Sequence, residues 1–445
     1  MSDRKNTVFK FFDEQKDFFR ERVTSGIEAY RKGTASITLA TTNGVLSPGA
    51  KVEIEQIRHH FRFGANLFML DEFESPEKNA IYRERFPELF NIATLPFYWN
   101  ALEPTEGHPR YAADSEKIYR RPAPDLCLDY CREKGIEPKC HCLNYEGFTP
   151  DWLRWNPDYD VFKEKLDRRF RDIAERYAGQ IPSFEVTNEH FWGKYGNRTY
   201  SRAYDEPDFV EYSYRLAEKY FPNNHLIIND YQLWAPDTYN PRNAYWLLIE
   251  NLLLKGCRVD SVGMQYHSFY PRESEGACAE LRYNPERMFR LMDLYEQFGL
   301  PLQVTEMTIP AYSLAPEDEE VQAEILERVY PMFFSQKNME AIIYWNVVDG
   351  YAAFAPLGDM TAGENTFAGG LLRFDLTEKP AWKTLDRLIN KEWHTSLSLS
   401  VPGSMTSFRG FYGDYRVRVT TENGRVSEHT ISLTPESDNH FTLIV

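Results

Sequence analysis

The chain has 445 residues, of which 42% are hydrophobic and 27% are charged, so it can bury a large core and is not expected to be disordered. Its 51 Lys and Arg residues are outnumbered by 67 Asp and Glu residues, and the net charge of −16 argues against nucleic acid or an anionic membrane as a partner. Aromatic residues make up 15% of the chain, which suits a cleft that stacks on flat, neutral ligands such as sugars.

The first thirty residues interleave charged with aromatic side chains and lack the apolar segment of a signal peptide. No stretch of sequence is long and uncharged enough for a membrane helix. These features predict a cytoplasmic location, or a secreted protein if a signal peptide was removed. The six cysteines are sparse and lack zinc-ribbon spacing, so we expect reduced, buried thiols.

Residues 1–32 have a charged, helical pattern and are expected to form an N-terminal helix. Residues 33–60 alternate apolar with polar side chains around the turn residues Asn43-Gly44 and Pro48-Gly49, which predicts a β-hairpin.

From residue 61 to residue 393, short apolar segments alternate with amphipathic helical patterns. The apolar segments number eight: residues 60–68, 92–99, 137–145, 183–189, 225–231, 259–267, 301–307 and 341–348. The clearest helical patterns cover residues 159–177, 209–220, 244–255, 285–298, 317–334 and 381–393. Eight strand–helix units predict an α/β fold of the (β/α)8 TIM-barrel type.

Residues 394–445 contain several short alternating segments that are typical of β-strands. Neither this tail nor the N-terminal hairpin has enough strands to bury a face alone. We therefore expect the two chain ends to build a small accessory β-domain together, in the form of a sandwich.

Two glutamates end apolar segments of the predicted barrel. Glu189 follows Asn188 at the end of the fourth segment, and Glu306 lies at the end of the seventh. Strand ends of a barrel meet at one mouth, where active sites are found. A pair of carboxylic acids is the apparatus of retaining glycoside hydrolysis, in which one acts as nucleophile and the other as acid and then base.

Residues 63–382 resemble glycoside hydrolase family 10, the xylanase-type barrels. The motifs that carry the resemblance are FNIAT (90–94), WNALEPTEG (99–107), FEVTNE (184–189), INDY (228–231), VGMQYH (262–267), VTE (304–306) and YWNVVD (344–349). The resemblance implies that Glu189 is the acid/base and Glu306 the nucleophile, without a cofactor. It also implies that Asn188 and Gln265 bind the sugar hydroxyl next to the reacting carbon and that His267 orients the nucleophile.

The sequence departs from the family pattern where sugars are bound. A Glu-Asn pair and a Lys on the second strand are replaced by Thr94, Leu95 and Tyr98, and a Trp-His pair by Tyr145-Glu146, although His141 remains. Thr308 stands in place of an acid, and Ala353 in place of a Trp. We expect a β-linked oligo- or polysaccharide substrate with altered recognition of its glycone, and Leu95 and Tyr98 are predicted to offer an apolar stacking surface.

Further candidates for sugar contacts are aromatic or replace a family residue. They are Tyr98, Trp99, Tyr231, Trp345, Tyr266 and Tyr344 at segment ends, Glu146, the loop of residues 191–198, and Tyr351 and Phe354. Glu146 is a candidate either for a sugar hydroxyl or for an ion pair with an arginine.

Other readings of the same residues stay open. The first alternative is a β-glycosidase that acts on another β-linked oligosaccharide or on an aryl glycoside. The second is a metal-dependent barrel hydrolase with His141, Glu189, His267 and Glu306 as ligands. The third is a non-catalytic carbohydrate-binding barrel. The absence of an HxH pair on the first strand argues against the metal, and the retention of both glutamates against a silent barrel.

Overall fold

A computed structural model of the protein describes residues 2–45, 49–156, 158–191, 205–231 and 243–445. Its N-terminal segment forms two helices, α1 (Ser2–Glu14) and α2 (Lys16–Tyr30), instead of the single helix predicted. The two helices are separated at Gln15. The side chain of Gln15 donates to Asn284 and accepts from the backbone N–H of Glu286. Apolar residues of α1, among them Val8 and Phe12, join the main core, so these helices belong to the barrel.

The eight predicted barrel strands are all present. They are β3 (Arg62–Asn66), β4 (Ile92–Pro96), β5 (Glu137–His141), β7 (Ser183–Asn188), β8 (His225–Asp230), β9 (Ser261–His267), β10 (Leu302–Thr308) and β11 (Met339–Tyr344), with the two-residue β6 (Asn144–Tyr145) beside β7. All are parallel, and the pairings of β5 with β7 and of β11 with β3 close the barrel. The chain therefore has the (β/α)8 fold that the repeated pattern predicted.

Helices cover the outside of the barrel. They are α3 (Pro76–Leu89), α4 (Trp99–Leu102), α5 (Pro124–Lys134), α6 (Asp151–Arg154), α7 (Tyr159–Tyr177), α8 (Phe209–Tyr220), α9 (Ala244–Leu254), α10 (Glu275–Arg282), α11 (Pro285–Glu296), α12 (Pro316–Phe334) and α13 (Pro380–Arg387). Each of the six predicted helical patterns overlaps one of them. Short helical turns lie at Glu146–Phe148, Arg272–Ser274, Gly363–Phe367 and Leu388–Glu392.

The chain ends form a β-sandwich, as predicted. Its strands are β1 (Lys32–Ala40), β2 (Ala50–His59), β12 (Ser396–Val401), β13 (Met405–Phe411), β14 (Gly413–Thr421), β15 (Val426–Leu433) and β16 (His440–Ile444). One sheet has the order β13-β1-β16 and the other β12-β2-β14-β15. A separate core fills the space between the sheets, with Ile37 of one sheet facing residues such as Val52 and Val417 of the other.

The predicted β-hairpin of residues 33–60 is wrong. β1 and β2 do not pair with each other, because β1 bonds β13 and β16 while β2 bonds β12 and β14. Each of the two strands has one apolar face. The apolar face of β1 is buried against that of β2, and two faces can pack in this way only when the strands lie in opposite sheets of a sandwich.

All six cysteines lie in described ranges, where they are buried and free of disulfides, as expected. Across those same ranges, no helix combines the length and apolar character that crossing a membrane requires.

Candidate active site

Glu189 lies directly after β7, at the carboxyl end of the barrel. Its backbone has a φ of 51°, in the left-handed region that non-glycine residues seldom adopt outside turns and functional sites. The turn is held on both sides, since the Glu189 N–H donates to the carbonyl of Asn229 and the His190 N–H donates to the carboxylate of Asp230. The Glu189 side chain is thereby turned toward the barrel mouth.

Glu306 is buried near the end of β10 and accepts hydrogen bonds from two other strands. Asn229 on β8 donates to its Oε1 at 2.9 Å, and the His267 ring on β9 lies 3.1 Å from its Oε2. The other ring nitrogen of His267 bonds the Thr308 hydroxyl at 2.9 Å. His267 is thus fixed between Thr308 and the carboxylate, as its predicted role of orienting Glu306 requires.

A chain of side-chain amides joins the two glutamates. Gln265 Nε2 lies 3.2 Å from Glu189 Oε1 and 3.0 Å from Asn188 Oδ1. Asn229 donates both to Asn188 Oδ1, at 2.8 Å, and to Glu306. Because Asn188 Oδ1 accepts both of these bonds, its NH2 group, which donates to no group in the described part of the chain, is left as a donor beside the two carboxyl groups.

The pKa of the Glu189 carboxyl is raised to about 7. Burial is the largest cause, because it penalises the ionised form, and the negative charge of Glu306 adds to it. Hydrogen bonds from Tyr145 and Gln265 act in the opposite direction. Glu189 can therefore hold a proton near neutral pH beside a second carboxylate, which a general acid requires.

Tyr145, at the end of β6, donates its hydroxyl to Glu189 Oε2 at 2.5 Å. The sequence marked this position only as a replaced family Trp and did not predict the contact. The dipeptide Asn144-Tyr145 carries no sequence signal of this contact, because Tyr145 comes close to Glu189 only through the pairing of β6 with β7.

A fully buried ion cluster lies close to Glu306, and the sequence did not predict it. Glu185 on β7 bonds the ammonium of Lys139 and, at 2.5 Å, Nδ1 of His141, both on β5. Burial alone would raise the pKa of Glu185, but the charges of Lys139 and His141 outweigh it and lower this pKa to about 2. The sequence signal was a charged residue inside each of two apolar segments.

His141 connects this cluster to an aromatic wall. Its Nε2 lies 3.0 Å from the hydroxyl of Tyr98, and its ring packs against Trp345. Tyr98 and Trp345 form a small cluster with Phe68, against which Tyr145 and Phe148 pack. The structure thus brings the predicted residues His141, Tyr98 and Trp345 to the site.

Several predicted aromatic contacts are not available. Trp99 is 3% exposed in the main core, with its indole N–H bonded to Glu103. Tyr266, Tyr344 and Tyr351 are fully buried, and their hydroxyls are bonded to Arg282, Gly369 and Glu74 respectively. All four rings pack in the main core. Tyr266 on β9 and Tyr344 on β11 lie on strands, whose alternation turns these two side chains away from the barrel interior.

The predicted apolar stacking surface at Leu95 and Tyr98 is also wrong. Leu95 and Thr94 are fully buried in the barrel, and Tyr98 is covered by Phe148. Only Tyr98 reaches the site, through its hydroxyl.

The sugar contacts predicted for the remaining candidates stay predictions. Tyr231, at the end of β8, is half-buried, Glu146 is buried in a helical turn, and Phe354 is 90% exposed. Of the loop 191–198, only Phe191 lies within the described residues.

The metal-site alternative requires His141, Glu189, His267 and Glu306 to converge, and the structure groups them differently. Donor atoms of His141, Glu185 and Glu306 lie within 4.8 Å of one another. All three groups are already engaged, since His141 Nδ1 and Lys139 both bond Glu185 and Asn229 donates to Glu306. A cation there would also face the Lys139 ammonium, so the chemistry of this donor set fits an ion cluster better than a metal site.

The fold and the site define a (β/α)8 barrel of the glycoside hydrolase type, with paired carboxyl groups on β7 and β10. The family model of glycosyl hydrolase family 10 matches residues 68–383, and the chain belongs to that family. This range agrees with the resemblance expected over residues 63–382.

Curated relatives are distant and longer. Anti-sigma-I factor RsgI6 of Acetivibrio thermocellus is 24% identical over 93% of this chain and 48% of its own length. Endo-1,4-beta-xylanase 1 of Arabidopsis thaliana is 24% identical over 89% of this chain and 37% of its own length. The chain therefore spans less than half of these relatives.

Solved structures share the barrel. Xylanase 10B from Thermotoga petrophila, in complex with xylobiose, superposes with a TM-score of 0.59 at 19% identity, over 75% of this chain and 95% of that one. Native xylanase 10B from Thermotoga maritima gives the same score and identity over 75% and 96% of the two chains. At this identity the likeness establishes the fold.

Proposed function

We propose that the protein is a retaining glycoside hydrolase that cleaves β-linked glycans of the xylan type. The family membership and the endo-1,4-β-xylanases among its relatives support this substrate class. The observation that carries the proposal is the pair of carboxyl groups in unequal environments: Glu189 has a pKa near 7, while Glu306 accepts bonds from Asn229 and His267.

In the first step, a carboxylate oxygen of Glu306 attacks the anomeric carbon as the glycosidic C–O bond breaks. Glu189 gives its proton to the leaving oxygen, so the aglycone departs as an alcohol and Glu189 is left ionised. Burial and the nearby negative charge keep that proton on Glu189 until the substrate takes it.

In the second step, ionised Glu189 takes a proton from water while the water oxygen attacks the anomeric carbon and releases Glu306. Because the negative charge of Glu306 is absent in the covalent intermediate, one cause of the raised pKa of Glu189 is removed when this carboxyl must act as a base. The same residue thus serves both steps.

The amide chain has a role in both steps. The NH2 group of Asn188 is aimed at the hydroxyl next to the reacting carbon, since its oxygen is held by Gln265 and Asn229. The hydrogen bond from such a donor to this hydroxyl becomes stronger as the oxocarbenium-like transition state forms.

The test is the stereochemistry of hydrolysis together with a nucleophile variant. We expect NMR to detect the product first with the β configuration, and Glu306→Ala to lower turnover by orders of magnitude while melting cooperatively. Glu428→Ala, at an exposed position on β15, is the matched control and should keep full turnover. A first product of inverted configuration would refute the proposal.

The second part of the proposal concerns the glycone. Family sugar contacts are missing at Thr94 and Leu95, both buried here, and each unreplaced polar contact costs on the order of 1–3 kcal/mol. We expect a kcat/KM on unsubstituted xylan several decades below that of a secreted xylanase measured alongside. Comparable values would refute altered recognition.

Hydrolysis of an aryl β-glycoside in the presence of a chelator separates the remaining readings. Unchanged activity supports the carboxylate mechanism, loss with recovery on adding metal supports a metal hydrolase, and no activity supports a binding barrel. The cytoplasmic location stays a prediction.

A further inference from the structure

Three arginines are buried in the segment between α4 and α5: Arg110 at 8%, Arg120 at 3% and Arg121 at 9% exposure. Arg110 donates to the backbone carbonyls of Ala101, Glu116 and Arg121, and so braces the segment. The side chain of Arg120 bonds the side-chain oxygen of Asn346 and a backbone carbonyl. Two of the three cations thus have a structural use.

Arg121 differs from the other two. Its guanidinium lies 4.1 Å from the ring centroid of Tyr98, with Phe68 and Phe148 also within 5.5 Å. Its one hydrogen bond within the described ranges goes to the carbonyl of Arg120, and no carboxylate there lies within 4.0 Å of it. Most of its donors are therefore unused.

A buried cation that no carboxylate contacts directly is costly, and the half-buried Glu364 compensates the charge of Arg121 only from a distance. Stacking on an aromatic ring recovers only part of that cost. Burial lowers the pKa of Arg121 to about 10, so it still carries its charge at neutral pH. The structure keeps a charged, planar guanidinium against three aromatic rings. Two parallel N–H donors of such a group match the two oxygens of a carboxylate.

The position of Arg121 relates it to the catalytic residues. The ring it covers, Tyr98, bonds His141, and donor atoms of His141 and Glu306 lie within 4.8 Å of each other. Two ring side chains thus separate the guanidinium from the nucleophile.

The surrounding charges favour a single negative charge on that ligand. Arg120 is already bonded, and the half-buried Glu364, which accepts from Asn346, acts electrostatically on Arg121. A carboxylate accepts from two parallel donors of one guanidinium, which Arg121 offers, whereas Glu364 would repel the second negative charge of a phosphate dianion.

We propose that Arg121 is a specificity-determining residue that binds a uronic acid carboxylate on the glycan, so that the substrate is an acidic, decorated oligosaccharide. This inference rests on the proposed glycosidase function and names its substrate class. It replaces the apolar stacking surface expected from Leu95 and Tyr98 with a charged contact.

The test compares two substrates that differ only in charge: xylotriose with a glucuronic acid branch on its terminal residue, and the same oligosaccharide after reduction of the carboxyl group. The readout is the ratio of their kcat/KM values. A charge-assisted pair gives the wild type a preference of about ten- to a hundredfold for the acidic substrate.

Arg121→Met keeps a side chain over Tyr98 but removes the charge, and should bring the ratio close to one. Arg121→Lys should restore part of the preference, because it returns the charge without the fork. Arg132→Met, at an exposed arginine of α5, should leave the ratio and the rates as in the wild type. A ratio is insensitive to any rate loss that both substrates share.

A wild-type ratio of one, or a preference that survives Arg121→Met, would overturn the inference and leave the glycosidase function standing. If neither substrate is hydrolysed, the proposed function fails separately. Calorimetric titration of both oligosaccharides into Glu306→Ala protein then decides the matter, since tighter binding of the acidic one supports the role of Arg121 and equal binding refutes it.

Discussion

The contact between Tyr145 and Glu189 offers a sharp test of how the acid/base is adjusted. Tyr145→Phe removes one hydroxyl that donates to Glu189 Oε2 at 2.5 Å and keeps the ring that packs on Phe148. The bond favours the ionised form of Glu189 and so lowers its pKa. Its removal should raise this pKa above the present value of about 7.

The magnitude follows from the strength of the bond. A hydrogen bond to a charged group contributes about 1.5–3 kcal/mol, and one pKa unit corresponds to roughly 1.4 kcal/mol. Because Gln265 still donates to Glu189 and the pair is only partly buried, we expect the lower end, a rise of about one unit. The alkaline limb of the kcat/KM profile reports this proton. On a xylo-oligosaccharide it should therefore move to higher pH by about one unit.

Tyr98→Phe is the matched control, since it makes the same chemical change at a tyrosine whose hydroxyl contacts His141 and not Glu189. The alkaline limb of this variant should stay within a few tenths of a unit of the wild type. A Tyr145→Phe profile that stays in place, or that moves to lower pH, would refute the account of the Glu189 pKa.

Three further outcomes are expected. Glu189→Ala should slow substrates with poor leaving groups far more than activated aryl glycosides, and azide should restore part of the turnover; equal losses without azide rescue would assign the acid/base role elsewhere. Lys139→Met should lower the free energy of unfolding by about 3–5 kcal/mol in denaturant titrations, because it leaves Glu185 buried with less compensation. Since Glu185 has a folded pKa of about 2 against about 4.3 unfolded, the wild type should lose stability as the pH falls from about 5 toward 2, and the variant should lose less. Deletion of residues 396–445 removes every strand that pairs with β1 and β2, so aggregation is expected in size-exclusion chromatography; a soluble, fully active product would contradict it.

The sequence by itself determined the barrel and the two glutamates that end its fourth and seventh strands. Strand and helix periods are local properties, so the apolar segments and the amphipathic helices between them were recognisable without any knowledge of their partners. Glu189 and Glu306 were predictable for the same reason: each ends an apolar segment, and parallel strands bring such ends to one mouth.

The tertiary structure alone decided which distant residues touch. The alternation in β1 and β2 indicates strands but does not select their neighbours, and burial of both apolar faces placed them in opposite sheets.

The same reason explains the contacts of the site. The bond from Tyr145 to Glu189 joins residues that are 44 positions apart in the chain. The stacking of Arg121 on Tyr98 joins residues that are 23 positions apart. Their effects on charge depend on burial and distance, which exist only once the chain has folded. A single sequence carries residue types and their spacing, whereas pKa values and charge pairing are properties of the three-dimensional environment.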